Sequence, residues 1–336
     1  LIKVRTHIGY GSPNKVDTAA AHGSPLGPDE IRLVKENFGL DPDKSFDVSA
    51  EVLKYYRTAG KRGEQTESEW NELYKQYKKK YPDLAKAFDV TSNGKLPDGW
   101  DKDLPVYEAG EKIATRKASG KVLNSIADKL PDLIGGSADL SPSTNTDLKG
   151  YQSFSATNRE GRIFHFGIRE HAMGAILNGM ALSKCVIPFG ATFLIFYDYM
   201  RPSVRLAAIM KIKPIFIYTH DSIGLGEDGT THQPVEQLLG LRSVPNLVMI
   251  RPADANETVA AWRAALEHTG GPVALVLTRQ ELPVIDQEKY TKARELKKGA
   301  YILSESDETP QVILIGTGSE VHLLLEAQKK LKTKNI

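Results

Sequence analysis

The sequence has a single cysteine, Cys185, in 336 residues. One thiol excludes an internal disulfide framework and a cysteine-based zinc site. No stretch reaches the roughly 18 consecutive apolar residues that a membrane helix needs. Charge of one sign is not in excess either: 44 Lys and Arg stand against 42 Asp and Glu, a net +2. That balance excludes a strongly basic nucleic-acid binder and an acidic disordered tail. Low-complexity tracts are missing, with 28 Gly and 18 Pro spread along the chain. What is left, 40% hydrophobic and 26% charged residues, is ordinary globular composition. It points to a soluble, cytoplasmic α/β protein, and the length suggests about two domains.

The two ends read differently from the middle. Leu1–Arg5 reads as a strand with no signal peptide before it. Gln311–Ile315 reads as a strand, followed by Gly316-Thr317-Gly318-Ser319-Glu320 opening a helix. One strand and one helix cannot bury their own apolar faces, so both ends read as cuts inside larger domains. The Gly-rich turn could cradle phosphate, but it lacks the third glycine of a dinucleotide site and reads better as a tight turn. After a polar loop punctuated by Gly and Pro, Asp29–Phe38 reads as a short helix and residues 40–66 as irregular. Trp70, Leu73, Tyr74, Tyr77 and Tyr81 recur at helical spacing over Ser68–Tyr81. The Lys75–Lys80 run is then the solvated outer face of that helix. Residues 89–110 read as an interdomain linker or crossing segment.

From residue 113 the pattern becomes regular. Helices at 115–130, 171–182, 199–210, 234–239 and 255–268 alternate with apolar runs at 133–136, 162–168, 186–193, 214–219, 247–250 and 273–277. Asp254 and Glu257 are spaced as a capping box. Such alternation implies a parallel sheet covered on both faces, with its site beyond the carboxyl ends of the strands. The residues just after the strands are Ser137-Ala138-Asp139, Arg169-Glu170, Phe193, His220-Asp221, Arg251-Pro252 and Thr278-Arg279. Glu170, opening a helix, fits either a dipole-complementing acid or a functional one. The loop His220–Gln233 carries two His, three acids and three Gly. It has neither zinc nor EF-hand spacing, and its histidines suit proton transfer. Phe193, Phe196 and Tyr199 fit core packing or a wall against a flat heteroaromatic ring.

At these residues the sequence resembles transketolases. Phe166–Gly174 and the loop from His220 to Glu236 look like motifs of that family. So do Ile8–Ser12, His22–Gly27, Gly135–Leu140 and Arg279-Gln280, in the same order along the chain. The resemblance implies the thiamine diphosphate-binding α/β fold. It divides the chain into the end of a diphosphate-binding domain plus linker (1–112), a whole pyrimidine-binding domain (113–283), and a connection into a C-terminal domain (284–336).

The resemblance also implies chemistry: transfer of a two-carbon ketol unit from a ketose phosphate to an aldose phosphate, with thiamine diphosphate and a divalent cation, Mg or Ca. Glu170 is then the carboxylate facing the cofactor's pyrimidine nitrogen. Phe193, Phe196 and Tyr199 wall the ring, and Asp139 is an acid near the cofactor at a subunit interface. His22 and His232 handle substrate protons, and Asp228 binds a sugar hydroxyl. Arg116, Ser143, His220 and Arg279 bind the substrate phosphate, a task suited to the guanidinium fork. Thr230 stands where the family usually has proline. The family's Gly-Asp-Gly metal and diphosphate segment is absent, so no metal ligand is assigned and a homodimer or second chain is implied as its source. Two alternatives stay open: a dihydroxyacetone synthase-like ketol transferase, and a non-catalytic fragment needing a partner chain. His232-Gln233-Pro234-Val235-Glu236 argues against a deoxyxylulose-phosphate synthase.

Overall fold

The computed structural model describes residues 2–226, 228–306 and 309–336. Leu1, where the first expected strand begins, and Glu227 of the long polar loop lie outside them. The chain forms two compact units, Leu1–Lys80 and Tyr81–Ile336. No helix among the described residues is long and apolar enough to cross a membrane.

In the first unit, α1 (Pro28–Asn37) opens on a proline and two acids, Asp29 and Glu30, where the helix dipole favours both. Glu30 is buried and accepts hydrogen bonds from the Ser12 hydroxyl and from Asn14, fastening the preceding loop to the helix. Two expectations fail in this unit. Residues 2–6 form no strand, because no ladder partner is present among the described residues. Residues 50–66 are not irregular: α2 runs unbroken over Ala50–Lys80. Its first half is rich in strong helix formers (Ala, Glu, Leu, Lys, Arg, Gln), which outweigh Gly60 and Gly63 at about 1 kcal/mol each. Its apolar positions stop at Ala59 and resume only at Trp70, so the periodicity is too short to reveal an unbroken helix. No residue of α2 is buried within the unit, and Trp70, Tyr74 and Tyr77 stack on one another.

The second unit opens with α3 (Pro82–Ser92). The segment that follows is pinned down and does not behave as a free linker. Trp100 and Tyr107 are buried, and the Asn256 side chain both donates to and accepts from the Tyr107 backbone, at 3.0 and 3.1 Å. Next come β1 (Lys112–Ala114), α4 (Thr115–Ile126), β2 (Leu133–Ser137), α5 (Ser141–Thr144), β3 (Ile163–His165), α6 (Glu170–Leu182) and β4 (Ile187–Phe193). They are followed by α7 (Tyr197–Met210), β5 (Ile215–Thr219), α8 (Gln237–Arg242), β6 (Val248–Ile250), α9 (Ala255–Glu267), β7 (Val273–Leu277), β8 (Glu281–Pro283) and α10 (Glu320–Lys332). The expected strand Gln311–Ile315 does not form: Ile313 and Ile315 are exposed and no strand pairs with them.

Strands β3-β2-β4-β5-β7-β6 make one parallel sheet, and β1 and β8 form a separate antiparallel pair. Side chains alternate between two cores. Ile215, Ile217, Val273 and Leu275 face a cluster with Val122, Leu123, Ile126 and Trp262 of α4 and α9. Phe216, Tyr218, Ala274 and Val276 face one with Met173, Leu177, Met200 and Val204 of α6 and α7. A parallel sheet buried on both faces is what βα alternation requires.

Asp254 caps α9: one carboxylate oxygen accepts from Glu257 N at 2.7 Å and the other from Ile285 N at 2.8 Å. Trp262 of α9 is fully buried and its indole N–H donates to Ser119 of α4 at 2.8 Å. Trp262→Ala should therefore destabilise the chain by about 3–5 kcal/mol, from the cavity it leaves and the stranded hydroxyl. Urea unfolding checks this, and a loss under about 1 kcal/mol would contradict the packing described.

Candidate active site

Because the six strands run the same way, their carboxyl ends meet at one edge. Phe193 closes β4, and a tight turn through Phe196 leads into α7, which carries Tyr199. His220 follows β5 in the left-handed backbone region, φ +59°, uncommon for a residue other than glycine. Thr278 follows β7 and clasps Thr115 at the head of α4. Thr115 N donates to the Thr278 hydroxyl at 3.0 Å, and Thr278 N donates to the Thr115 hydroxyl at 2.7 Å. This clasp brings their chain neighbours, Arg116 and Arg279, to the same place. Beyond β2, Ser143 of α5 accepts a hydrogen bond from the Arg116 guanidinium through its carbonyl, at 2.5 Å.

Together these elements form a polar, open cavity of about 330 Å³. Arg116, Ser143, His220 and Arg279 line it with Phe193, Asp228 and His232. The rings are ordered: His220 stacks on Phe193 at 3.7 Å between centroids, and His232 stands edge-on to Phe196 at 5.5 Å and to Phe193 at 6.0 Å. Phe196 in turn contacts Tyr199 at 6.1 Å. Burial pushes the His220 pKa down from 6.5 to about 3, helped by the positive charges of Arg116 and Arg279. His220 is thus a neutral hydrogen-bonding group at physiological pH, with its Nδ1 2.8 Å from the Thr219 hydroxyl. Burial and Arg279 also lower the Arg116 pKa, opposed by Asp228, and among the described residues its buried Nε has no partner. Two partly desolvated guanidiniums with an unused N–H suit an anion with several oxygens.

Other expected site residues sit elsewhere. Glu170 is the first residue of α6, only 8% exposed, and no described residue donates to its carboxylate. Asp139 follows β2 at the same sheet edge, exposed and at φ +66°. Neither lines the cavity. His22 lies in the first unit, exposed, just after the short turn Ala19–Ala21. No group of three His, Cys, Asp or Glu suited to a metal occurs among the described residues.

Residues 111–284, about half the chain, match the family model "Transketolase, pyrimidine binding domain". The chain belongs to the transketolase family. Residues 1–97 match "Transketolase, thiamine diphosphate binding domain" and residues 299–336 "Transketolase-like TK C-terminal domain". All of the chain aligns at 50% identity with the transketolase of Bacillus subtilis strain 168, covering 51% of that protein. It aligns at 51% identity with that of Aquifex aeolicus strain VF5, covering 48% of it. Among solved structures, a Pichia stipitis transketolase in complex with sedoheptulose 7-phosphate superposes at a TM-score of 0.92 with 43% identity, over 99% of this chain and 50% of that one. The Leishmania mexicana transketolase gives 0.89 with 42% identity, over 97% and 48%. The chain thus spans about half the length of the transketolases it matches.

Sequence reasoning left two residue pairs at this edge without a role. Thr115 and Thr278, which bring the arginines together, are separated by 163 positions. Asp221 and Arg251 form a buried ion pair at 2.7 Å. Their place directly after β5 and β6 was the signal available.

The neutral state of His220 has a pH consequence. Its folded pKa lies below its ordinary value, so under pH 6.5 the unfolded chain takes a proton that the folded chain refuses. Folding stability through this group falls as pH drops from 6.5 toward about 3 and is level above. NMR of the His220 ring should show no titration between pH 8 and pH 4. A midpoint near 6.5 would contradict the burial and charge described.

Proposed function

We propose that this chain supplies the pyrimidine-side and substrate-side half of a transketolase site, which transfers a two-carbon ketol unit between sugar phosphates. The observation that carries the reading is the cavity on which Arg116, Ser143, His220, Asp228, His232 and Arg279 converge beside Phe193. The domain division follows the same reading: 1–112 to the diphosphate-binding domain and its linker, 113–283 to the pyrimidine-binding domain, and 284–336 to the C-terminal connection.

The residues present suit thiamine diphosphate at its pyrimidine end. Glu170 is a nearly buried carboxylate with no partner among the described residues, and such a group calls for a proton or a donor. Phe193, Phe196 and Tyr199 offer a run of ring contacts. When bound, the cofactor supplies a thiazolium carbon nucleophile and an electron sink. Glu170 would hold the proton at the pyrimidine ring nitrogen, and the aromatic residues would exclude water. His232 and His22 would move protons at the substrate hydroxyl and carbonyl oxygens, and Asp228 would accept from a sugar hydroxyl. Arg116 and Arg279, with Ser143 and neutral His220, would fix the substrate phosphate.

Asp139 faces a subunit partner in this reading. The described residues do not fit the divalent cation, Mg or Ca, and we place its ligands in a segment outside this sequence, on a homodimer partner or a second chain. A cytoplasmic location belongs to the same reading, and neither nucleic acid nor membrane has a part in it.

The test uses a full-length polypeptide carrying these residues. Glu170→Ala should lower two-carbon transfer by roughly 10²-fold or more, and near-normal turnover would refute its role. His232→Ala should lower turnover more than cofactor affinity; lost cofactor binding with turnover unchanged would count against it.

A further inference from the structure

Arg251, at the end of β6, is not used by the reaction, yet its side chain is only 4% exposed. Its Nε donates to Asp221 Oδ2 at 2.7 Å, and the Asp221 side chain is fully buried. Nη2 also lies 2.7 Å from Asp221 Oδ2, and the same guanidinium reaches the other way as well. It donates to the Thr317 carbonyl at 2.9 Å, approaches the Ser319 hydroxyl at 3.3 Å, and binds both Glu320 oxygens, one of them at 3.0 Å. The Arg251 carbonyl accepts from Gly318 N at 3.0 Å. Gly318 has φ +60°, and a Cβ there would lie 2.7 Å from Arg251 Nε, so only glycine lets the turn close over the arginine. One guanidinium therefore spans the turn that carries His220 and the turn that opens α10.

The arrangement is unequal. Asp221 Oδ1 is buried and has no partner among the described residues. A fork opposite a carboxylate ordinarily takes both oxygens. Here Nε and Nη2 both face Oδ2 while Nη1 and Nη2 also serve Glu320, so the fork holds Asp221 by one oxygen only. Without the Glu320 charge the fork is free to rotate onto Asp221 and take the orphaned Oδ1. Asp221 directly follows His220, whose left-handed backbone and 3.7 Å stack on Phe193 set where its ring meets the cavity. Rotating Asp221 moves that ring.

We infer that Arg251 and Glu320 are positioning residues for the phosphate end of the cavity: through Asp221 they fix the His220 turn, and they tie it to the first turn of α10. This rests on the reading that His220 helps bind a substrate phosphate.

The experiment uses full-length polypeptide with Glu320→Gln, which keeps the side-chain shape at a partly exposed position, and Arg251→Lys, a point charge that cannot serve both carboxylates. Calorimetry reads ribose 5-phosphate binding, and kinetics compare a phosphorylated with an unphosphorylated ketose donor. Both variants should weaken ribose 5-phosphate binding roughly tenfold and raise KM for the phosphorylated donor alike, with kcat and the unphosphorylated donor within about twofold. A parallel loss with both donors, or wild-type binding in both variants, overturns the inference and leaves the function standing. Absence of ribose 5-phosphate binding by the wild-type protein overturns the function, and the inference with it.

Discussion

A parallel sheet buried on both faces can expose polar side chains only at its ends. Strands β2, β4, β5 and β7 have almost no accessible surface along their length, so Phe193, His220 and Arg279 have nowhere to act except past the last ladder bond. The crossover helices, on either face, are equally confined, since each must carry the chain back to the same end of the sheet before the next strand begins. The threonine clasp between the head of α4 and the end of β7 then decides which residues from distant parts of the chain share the cavity. The site follows from the fold: the geometry that buries the apolar runs gathers the charged groups.

Burial also sets the chemistry of those groups. Arg116 loses part of its hydration and lies within the field of Arg279, which makes the cavity hungry for a compensating anion. Burial, helped by the same two charges, keeps His220 neutral, so this end of the cavity holds two fixed positive charges and an uncharged hydrogen-bonding ring. The aromatic face at Phe193 and Phe196 meets the His232 ring edge-on, and its Nδ1 lies 2.9 Å from the Thr231 hydroxyl, so ring contacts and one hydrogen bond together hold the imidazole. Glu170 opens a helix at the same edge.

Much of this is legible in the sequence because the second unit is strongly periodic. The strands from Leu133 to Leu277 were bounded to within a few residues, since each is an apolar run ended by a polar residue. Phe193, His220 and Arg279 stand out because they follow those runs, whereas Arg116, Ser143, Asp228 and His232 are named through the family resemblance. Where the reading failed, the signal was missing. The first half of α2 forms on propensity across a stretch, residues 60–69, that has no apolar side chain, and periodicity cannot see that. Leu1–Arg5 and Gln311–Ile315 have strand-like side chains, but a strand exists only through its partner, and no local pattern shows whether a partner is present. The clasp of Thr115 with Thr278 and the Arg251 bridge join residues far apart in sequence. Each residue stood out only as the neighbour of a strand end, and what it touches is set by the tertiary fold.

The most direct measurement is a crystal structure of a full-length polypeptide carrying these residues, with a sugar phosphate bound. The expected result is a phosphate group within hydrogen-bond distance of both Arg116 and Arg279, including the Arg116 Nε, with the sugar chain running toward Asp228 and His232. A phosphate seated elsewhere, or a cavity that stays empty at saturating ligand, would contradict the account.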